Sequence, residues 1–249
     1  MIRCLDWFLP PLCLACRRSP ADGIDRLNLC RRCRRRARPV TGRRCPSCLT
    51  RLAEPAVPAG FPCGACRRRP PAFDRLLAGW FYESPIREVM VGLKFRRLEY
   101  LGAALAEELA PRFAAELASC TVVSVVPLHW ARWLRRGYNQ AGLIARQMAI
   151  ELGQPYSISL RRRLWTKPQT GLDRVERRAN LRRAFSWRGP RVTGRPHWLL
   201  VDDVFTTGAT LDCAARALKA AGVGRVTALI AAATPHPGAA RPGIPGRNM

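Results

Sequence analysis

The hydrophobic pattern changes character at Phe73. Over residues 1–72 the apolar positions keep neither a strand period of two nor a helical period of 3.6, and Cys, Arg, Pro and Gly crowd the segment instead. A stretch of this kind cannot bury a core of its own and needs a staple. Beyond Pro70 and Pro71 the texture becomes regular. The LLAGWFY run at residues 76–82 predicts a strand. Residues 85–118 carry helical spacing, with Ile86, Val89, Met90 and Leu93 on one face, and a second helix is expected over residues 101–117. The β-branched TVVSVV run at residues 121–126 has the composition of a strand buried on both faces.

A loop bearing Pro and Arg follows at residues 127–137, then a helix over residues 139–152 and a short strand at residues 156–160. Residues 161–191 hold 11 basic and 2 acidic side chains and read as a long polar excursion. The apolar pattern then resumes as a strand at residues 197–201, a helix at residues 211–221 with Gly222 near its end, and a closing strand at residues 225–233. Strand–helix alternation predicts an α/β domain with a mainly parallel sheet flanked by helices. The expected division is a small N-terminal module over residues 1–72, the α/β domain over residues 73–234, and a disordered Pro/Gly-rich tail over residues 235–249.

No apolar stretch approaches the roughly 20 residues of a membrane span. The opening MIRCLDWFLPPLC carries an acid and two prolines in its apolar part and has no small-residue cleavage site, so a cytoplasmic location is expected. Charge adds a second constraint. The formal charge is +26, from 43 basic and 17 acidic residues, and only Lys94, Lys167 and Lys219 are lysines. Residues 1–72 carry 16 basic and 4 acidic residues, and residues 73–249 carry 27 and 13, so the excess is not confined to a tail. A polyanionic partner, nucleic acid or a phosphate-rich ligand, is the functional reading of that excess.

Eight of the 11 cysteines form four CxxC pairs: Cys13 and Cys16, Cys30 and Cys33, Cys45 and Cys48, Cys63 and Cys66. In a cytosolic chain this argues for metal rather than disulfides. A CxxC turn puts two thiolates on one side of an ion, and a second pair completes a tetrahedral set. Spacers of 13 and 14 residues between Cys16 and Cys30 and between Cys48 and Cys63 suit two sequential zinc ribbons, though interleaved pairing is also compatible with the spacing. Two structural zinc ions are expected, since four thiolates leave no open position for water; iron can use the same ligands. The arginines beside the knuckles either face nucleic acid or offset the charge of the thiolates. Cys4, Cys120 and Cys213 fall outside the pattern and read as small apolar residues.

The densest chemistry lies in the segment HWLLVDDVFTTGATL at residues 197–211. A buried-type strand reaches Asp202 and Asp203, and a Thr/Gly-rich loop then enters a helix. Backbone N–H groups of Thr206, Thr207, Gly208, Ala209 and Thr210 can turn inward on a phosphate, helped by the helix N-terminus. Gly208 lets the backbone approach closely. Carboxylates repel a phosphate but accept hydrogen bonds from ribose hydroxyls, directly or through water on Mg²⁺. An ordinary strand–turn–helix accounts for one acid and one Thr, not for two acids and three Thr around a glycine. A phosphorylated ribose is the indicated ligand.

DDVFTTGAT after a buried strand resembles the phosphoribosyl-pyrophosphate motif of type I phosphoribosyltransferases. Nearly the whole chain is similar to the ComF family of competence-linked, amidophosphoribosyltransferase-like proteins, which join a double zinc ribbon to a domain of that type. The resemblance rests on the CxxC pairs, PPAFDR at residues 70–75, LKF at residues 93–95, VVPLHWARWLRRGYNQA at residues 125–141 and PQTGLDRVERRANLRRAF at residues 168–185. It implies a type I phosphoribosyltransferase-like fold that binds 5-phosphoribosyl 1-pyrophosphate with Mg²⁺ and transfers phosphoribose to an unidentified acceptor. It places Pro127, Leu128, His129 and Arg132 in a pyrophosphate loop and makes Arg135 and Arg136, with Asp202 and Asp203, the catalytic candidates. Lys167, Gln169, Arg174 and Arg178, with Arg177 and Asn180, fall in a flexible loop that closes over the sugar. The alternative is a non-catalytic protein of the competence machinery that binds single-stranded DNA or senses a ligand.

Overall fold

The computed structural model describes residues 12–18, 23–52, 60–128, 130, 134, 136–162 and 184–235. Its centre is a five-stranded parallel sheet in the order β1-β7-β6-β2-β3. The strands are β1 (Arg75–Phe81), β2 (Val122–Val125), β3 (Tyr156–Ser157), β6 (His197–Phe205) and β7 (Arg225–Ala233). Between them β4 (Leu160–Arg162) and β5 (Phe185–Trp187) form a separate antiparallel pair. The predicted α/β class with a parallel sheet is the one adopted.

Alternation along the strands divides the core in two, because successive side chains point to opposite faces. Leu77, Val123, Val125, Leu199, Val201 and Leu229 pack on one face against α3 (Ile86–Phe95), α4 (Tyr100–Arg112) and α6 (Gln140–Glu151). Leu76, Ala78, Leu200, Ala228 and Ile230 pack on the other, against α7 (Ala209–Ala220) and β4–β5. The sheet is most deeply buried at β7, which is covered from Val226 to Ala233. Among the described residues no helix is long and apolar enough to cross a membrane.

Several boundaries differ from the sequence-based expectation. The single helix expected over residues 101–117 is two, α4 and the short α5 (Ala114–Leu117), because Phe113 leaves helical geometry. Beside that break the Arg112 guanidinium donates to Gly79 O at 2.6 Å and Val40 O at 2.9 Å, bolting the end of α4 to β1. The strand expected at residues 156–160 is divided between β3 and the start of β4. The excursion over residues 161–191 is not all loop, since β4 and β5 bracket it. Most consequentially, β6 runs past residue 201 to Phe205, because β7 continues to supply partners opposite Asp202, Val204 and Phe205.

The N-terminal segment is not a free appendage. Its helices α1 (Arg31–Arg34) and α2 (Gly64–Arg68) are single turns, and Cys13, Leu27, Leu29, Cys30 and Cys33 join the same apolar cluster as Leu93, Leu101 and Leu105. Arg34 pairs with Glu108 and Arg26 with Glu107 on α4. The linker between the tetrads (residues 34–44) and the Cys45–Cys48 knuckle then cover the edge of β1: Phe81 N donates to Arg38 O at 2.9 Å and Leu76 N to Pro46 O at 2.7 Å.

Candidate ligand site and cysteine tetrads

The acids lie on the last turns of the pleat of β6, not in the loop after it. Asp202 therefore projects to the face of Leu200 and Asp203 to the face of Val201. The ion pair is made by Asp203. Lys94, in the last turn of α3, places Nζ 2.9 Å from Asp203 Oδ2, with the two side chains only 15% and 18% exposed. Asp202 feels the same Lys94 charge and, more weakly, the Arg162 guanidinium of β4. Asp202 Oδ1 accepts the backbone N–H of Asp203 at 2.8 Å. Loss of hydration, followed by the charge of Asp203, nevertheless pushes the Asp202 carboxyl up to about 8. A carboxyl held so far from its ordinary range is a mark of a functional site.

After Phe205 the chain turns through exposed Thr206 and Thr207 to Gly208, whose φ of 76° makes it the N-cap of α7. The helix thus starts at Ala209, two residues earlier than periodicity indicated. Asp212 N donates to Gly208 O at 2.9 Å, which closes the first turn. The N–H groups ahead of it have no carbonyl one turn back in the helix, and no side chain caps Gly208. Ala209 N makes only a long contact, 3.5 Å, with Thr207 Oγ1, and the positive end of the helix lies at the carboxyl edge of the sheet. Asp212, the acid in this turn, is occupied by Ala72 N at 2.6 Å and by Arg216.

The segment after β2 reaches the same edge. Val126 N donates to Val201 O at 2.9 Å, and half-buried Pro127 and Leu128 follow. Asn139 Nδ2 donates to Val126 O at 3.1 Å, tying the start of α6 back to that point. Arg136 donates to Gln140 Oε1 at 3.0 Å and lies 5.1 Å over the Phe95 ring. His129, Arg132 and Arg135 lie outside the described residues, as do Lys167, Gln169, Arg174, Arg177, Arg178 and Asn180. So the structure brings together Asp202, Asp203, the Thr206–Thr210 turn, Pro127 and Leu128, with Arg136 held over Phe95 beside Lys94, and it adds Lys94 and Arg162 to the predicted residues. Arg162 was hidden in a generic basic run. Lys94 had a signal: it is one of three lysines among 43 basic residues and sits in the LKF segment.

His197 belongs to the framework. It opens β6, away from the acids, and is buried with Nε2 2.8 Å from Thr227 Oγ1 and Nδ1 2.8 Å from Ser119 Oγ; burial keeps it neutral by lowering its pKa. Cys120 and Cys213 are buried, as expected of small apolar residues.

The eight CxxC cysteines assemble sequentially. Cys13, Cys16, Cys30 and Cys33 form one group and Cys45, Cys48, Cys63 and Cys66 the other, with ligand atoms in each within 4.8 Å of one another. A tetrahedral ion with Zn–S bonds of about 2.3 Å sets its sulfurs about 3.8 Å apart. Cys16 and Cys30 Sγ stand at 3.9 Å, and Cys48 and Cys63 Sγ at 3.7 Å. Both tetrads are therefore consistent with structural zinc ribbons. Burial opposes ionisation at Cys13 and Cys63, yet backbone N–H groups of Cys16 and Cys66 respectively, with further donors nearby, bring both thiols down to about 7.

Comparison with known proteins agrees with the cysteine tetrads and gives the family. Residues 4–67 match the family described as Double zinc ribbon domain. The chain is 34% identical over 224 residues to DNA utilization protein YhgH of Salmonella typhimurium, covering 88% of this chain and 95% of that protein. Competence protein F of Haemophilus influenzae is 34% identical over 169 residues, covering 65% and 73% respectively. Competence protein ComFC of Bacillus subtilis is 29% identical over 210 residues, covering 80% and 82%. With paired cysteine tetrads joined to a parallel α/β sheet, and a relative matched along almost its whole length, the chain belongs to the ComF family.

Proposed function

We propose that the carboxyl edge of β6 binds 5-phosphoribosyl 1-pyrophosphate and transfers its phosphoribose to an acceptor. The observation that carries this reading is the succession of Asp202 and Asp203 on β6, the Thr206–Thr210 turn, and the α7 N-terminus at Gly208. In this reading the 5-phosphate takes the N–H groups at the start of α7 and the Thr hydroxyls, and the acids accept from the ribose 2′- and 3′-hydroxyls. Transfer breaks the C1–O bond to pyrophosphate and forms a bond from C1 to the acceptor nucleophile, whose proton is released. Arg136, with Arg135 and Arg132, stabilises the departing pyrophosphate. The hard oxygen donors of Asp202 and Asp203 suit Mg²⁺ held through water, which would neutralise pyrophosphate charge. The two tetrads would each hold a zinc ion that supplies folding energy and takes no part in transfer.

Calorimetric titration of the full chain with the donor and Mg²⁺, paired with pyrophosphate release over a panel of acceptors, tests this. Binding that is lost in Asp202→Asn, Asp203→Asn is expected. Donor affinity unchanged by that double substitution would sink the site assignment.

A second reading keeps the site but drops catalysis: the chain binds single-stranded DNA. The net charge of +26 favours it, as do relatives named for DNA utilization and competence. Donor binding without acceptor-dependent release, together with oligonucleotide affinity that falls steeply with salt, would put this reading ahead.

A further inference from the structure

We propose that the open face of Phe95 is a stacking platform for a nucleobase attached to the ribose, so that the acceptor or product handled here carries a planar heteroaromatic ring. The proposal rests on the phosphoribose reading above and extends it to the ring at C1. Phe95 is the last residue of α3, and it is 61% exposed. A solitary exposed aromatic is ordinary; its surroundings set this one apart.

The turn that carries Phe95 is clamped from both sides. Leu93 is fully buried and its carbonyl accepts the Tyr138 hydroxyl. Lys94 turns inward to Asp203 Oδ2 at 2.9 Å. One face of the ring is already taken by the Arg136 guanidinium, 5.1 Å from the centroid. Arg136 is in turn held by Gln140 Oε1 at 3.0 Å, and Gln140 is buried with its own Nε2 donating to Tyr138 O at 3.3 Å. The ring is therefore a rigid plate backed by a cation. A base on its free face would complete an Arg–Phe–base stack, in which each ring meets the favoured partner for its quadrupole.

Position agrees with that role. One Cα step of about 3.8 Å and an extended lysine side chain put the Phe95 ring on the order of 10 Å from the Asp203 carboxylate. Ribose hydroxyls held by the acids leave about that span for the sugar, the glycosidic bond and a stacked base. Arg96 and Arg97, both exposed, continue the positive rim directly after the ring. Cations around an open aromatic plate suit an anionic, base-bearing ligand better than an apolar peptide.

The test compares adenosine 5′-monophosphate with ribose 5-phosphate by calorimetry on the full chain, since the two share the phosphoribose and differ by the base. Wild type is expected to bind the nucleotide about 10-fold more tightly, within the usual range for one base–aromatic stack. Phe95→Leu should reduce the two affinities to near equality without changing that of ribose 5-phosphate, and Phe95→Trp should keep the preference. Equal affinities in wild type, or a preference untouched by Phe95→Leu, would overturn the platform and leave the phosphoribose site standing. Failure of ribose 5-phosphate to bind at all defeats both. Should Phe95→Leu weaken both ligands alike, the ring is packing only, and a partner protein becomes the better occupant of that face.

Discussion

Lys94 Nζ and Asp203 Oδ2 are 2.9 Å apart, and this contact joins the end of α3 to the carboxyl end of β6. It also answers an electrostatic problem. Two adjacent carboxyls at a half-buried sheet edge repel each other when both are charged; Lys94 holds the charge of Asp203, while Asp202 is driven toward its neutral form. Lys94→Met removes the cation but keeps most of the packing. It is expected to destabilise the chain by about 3 kcal/mol, the usual cost of orphaning one member of a largely buried pair. Lys94→Met with Asp203→Asn should recover much of that loss. Urea denaturation of the four proteins in a double-mutant cycle reads the coupling, and strictly additive losses would mean that the contact contributes nothing.

The Asp202 carboxyl gives the site a pH signature. Its folded value of about 8 stands above the ordinary 3.8, because burial and then Asp203 disfavour the charged form. A raised acid binds its proton more tightly in the folded chain than in the unfolded one. Its contribution to stability is therefore fully present below pH 4 and is lost as pH rises through about 8. Asp202→Asn should flatten the fall in unfolding free energy between pH 5 and about 8.5, with the two proteins closest at the acid end. Parallel pH profiles for the two would rule out the raised value.

Much of this was legible in the chain, and the parts that were not share a cause. Strand–helix alternation, β7 from Arg225 and the four CxxC knuckles follow from local pattern, because buried parallel strands and CxxC turns write themselves into consecutive residues, whereas the choice of sequential over interleaved tetrads is made only by the fold. The extension of β6 to Phe205 was not legible: Asp202 and Asp203 look like the end of a strand, and only the presence of β7 beside them keeps the ladder going. The same holds for Lys94. Its partner lies more than a hundred residues away, and nothing in the local period of α3 distinguishes an inward lysine from a solvated one. The break at Phe113 is tertiary too, made where Arg112 reaches the backbone of β1 and the linker.

The two tetrads are unequal in their attachment, which gives a prediction about metal loss. Cys13, Cys30 and Cys33 belong to the cluster that includes Leu93, Leu101 and Leu105, whereas none of the second group joins either core cluster. Cys30→Ser is expected to lower the melting temperature of the whole α/β domain by several degrees, since a loss of about 1–2 kcal/mol in a domain of this size shifts Tm by that much. Cys63→Ser should release metal with a much smaller shift. Metal content measured alongside differential scanning calorimetry separates the two. Equal shifts would show that both ribbons are coupled to the core alike.

Gly208 is the position where backbone shape and ligand chemistry meet. Its φ of 76° lies in the left-handed region, which costs an L side chain about 1–2 kcal/mol. A Cβ there would also stand 2.7 Å from Cε2 of buried Phe205, closer than van der Waals contact allows. Gly208→Ala must therefore either strain the turn or rotate it, and rotation swings the Ala209 and Thr210 N–H groups away from the crevice. The expected result is a stability loss of about 2 kcal/mol and at least a 10-fold loss of affinity for ribose 5-phosphate. Ala209→Gly serves as the control, since it costs helix propensity of about 1 kcal/mol without moving the turn and should leave the affinity largely intact. An unchanged affinity in Gly208→Ala would detach the phosphate from the start of α7 and move the site elsewhere on the edge of the sheet.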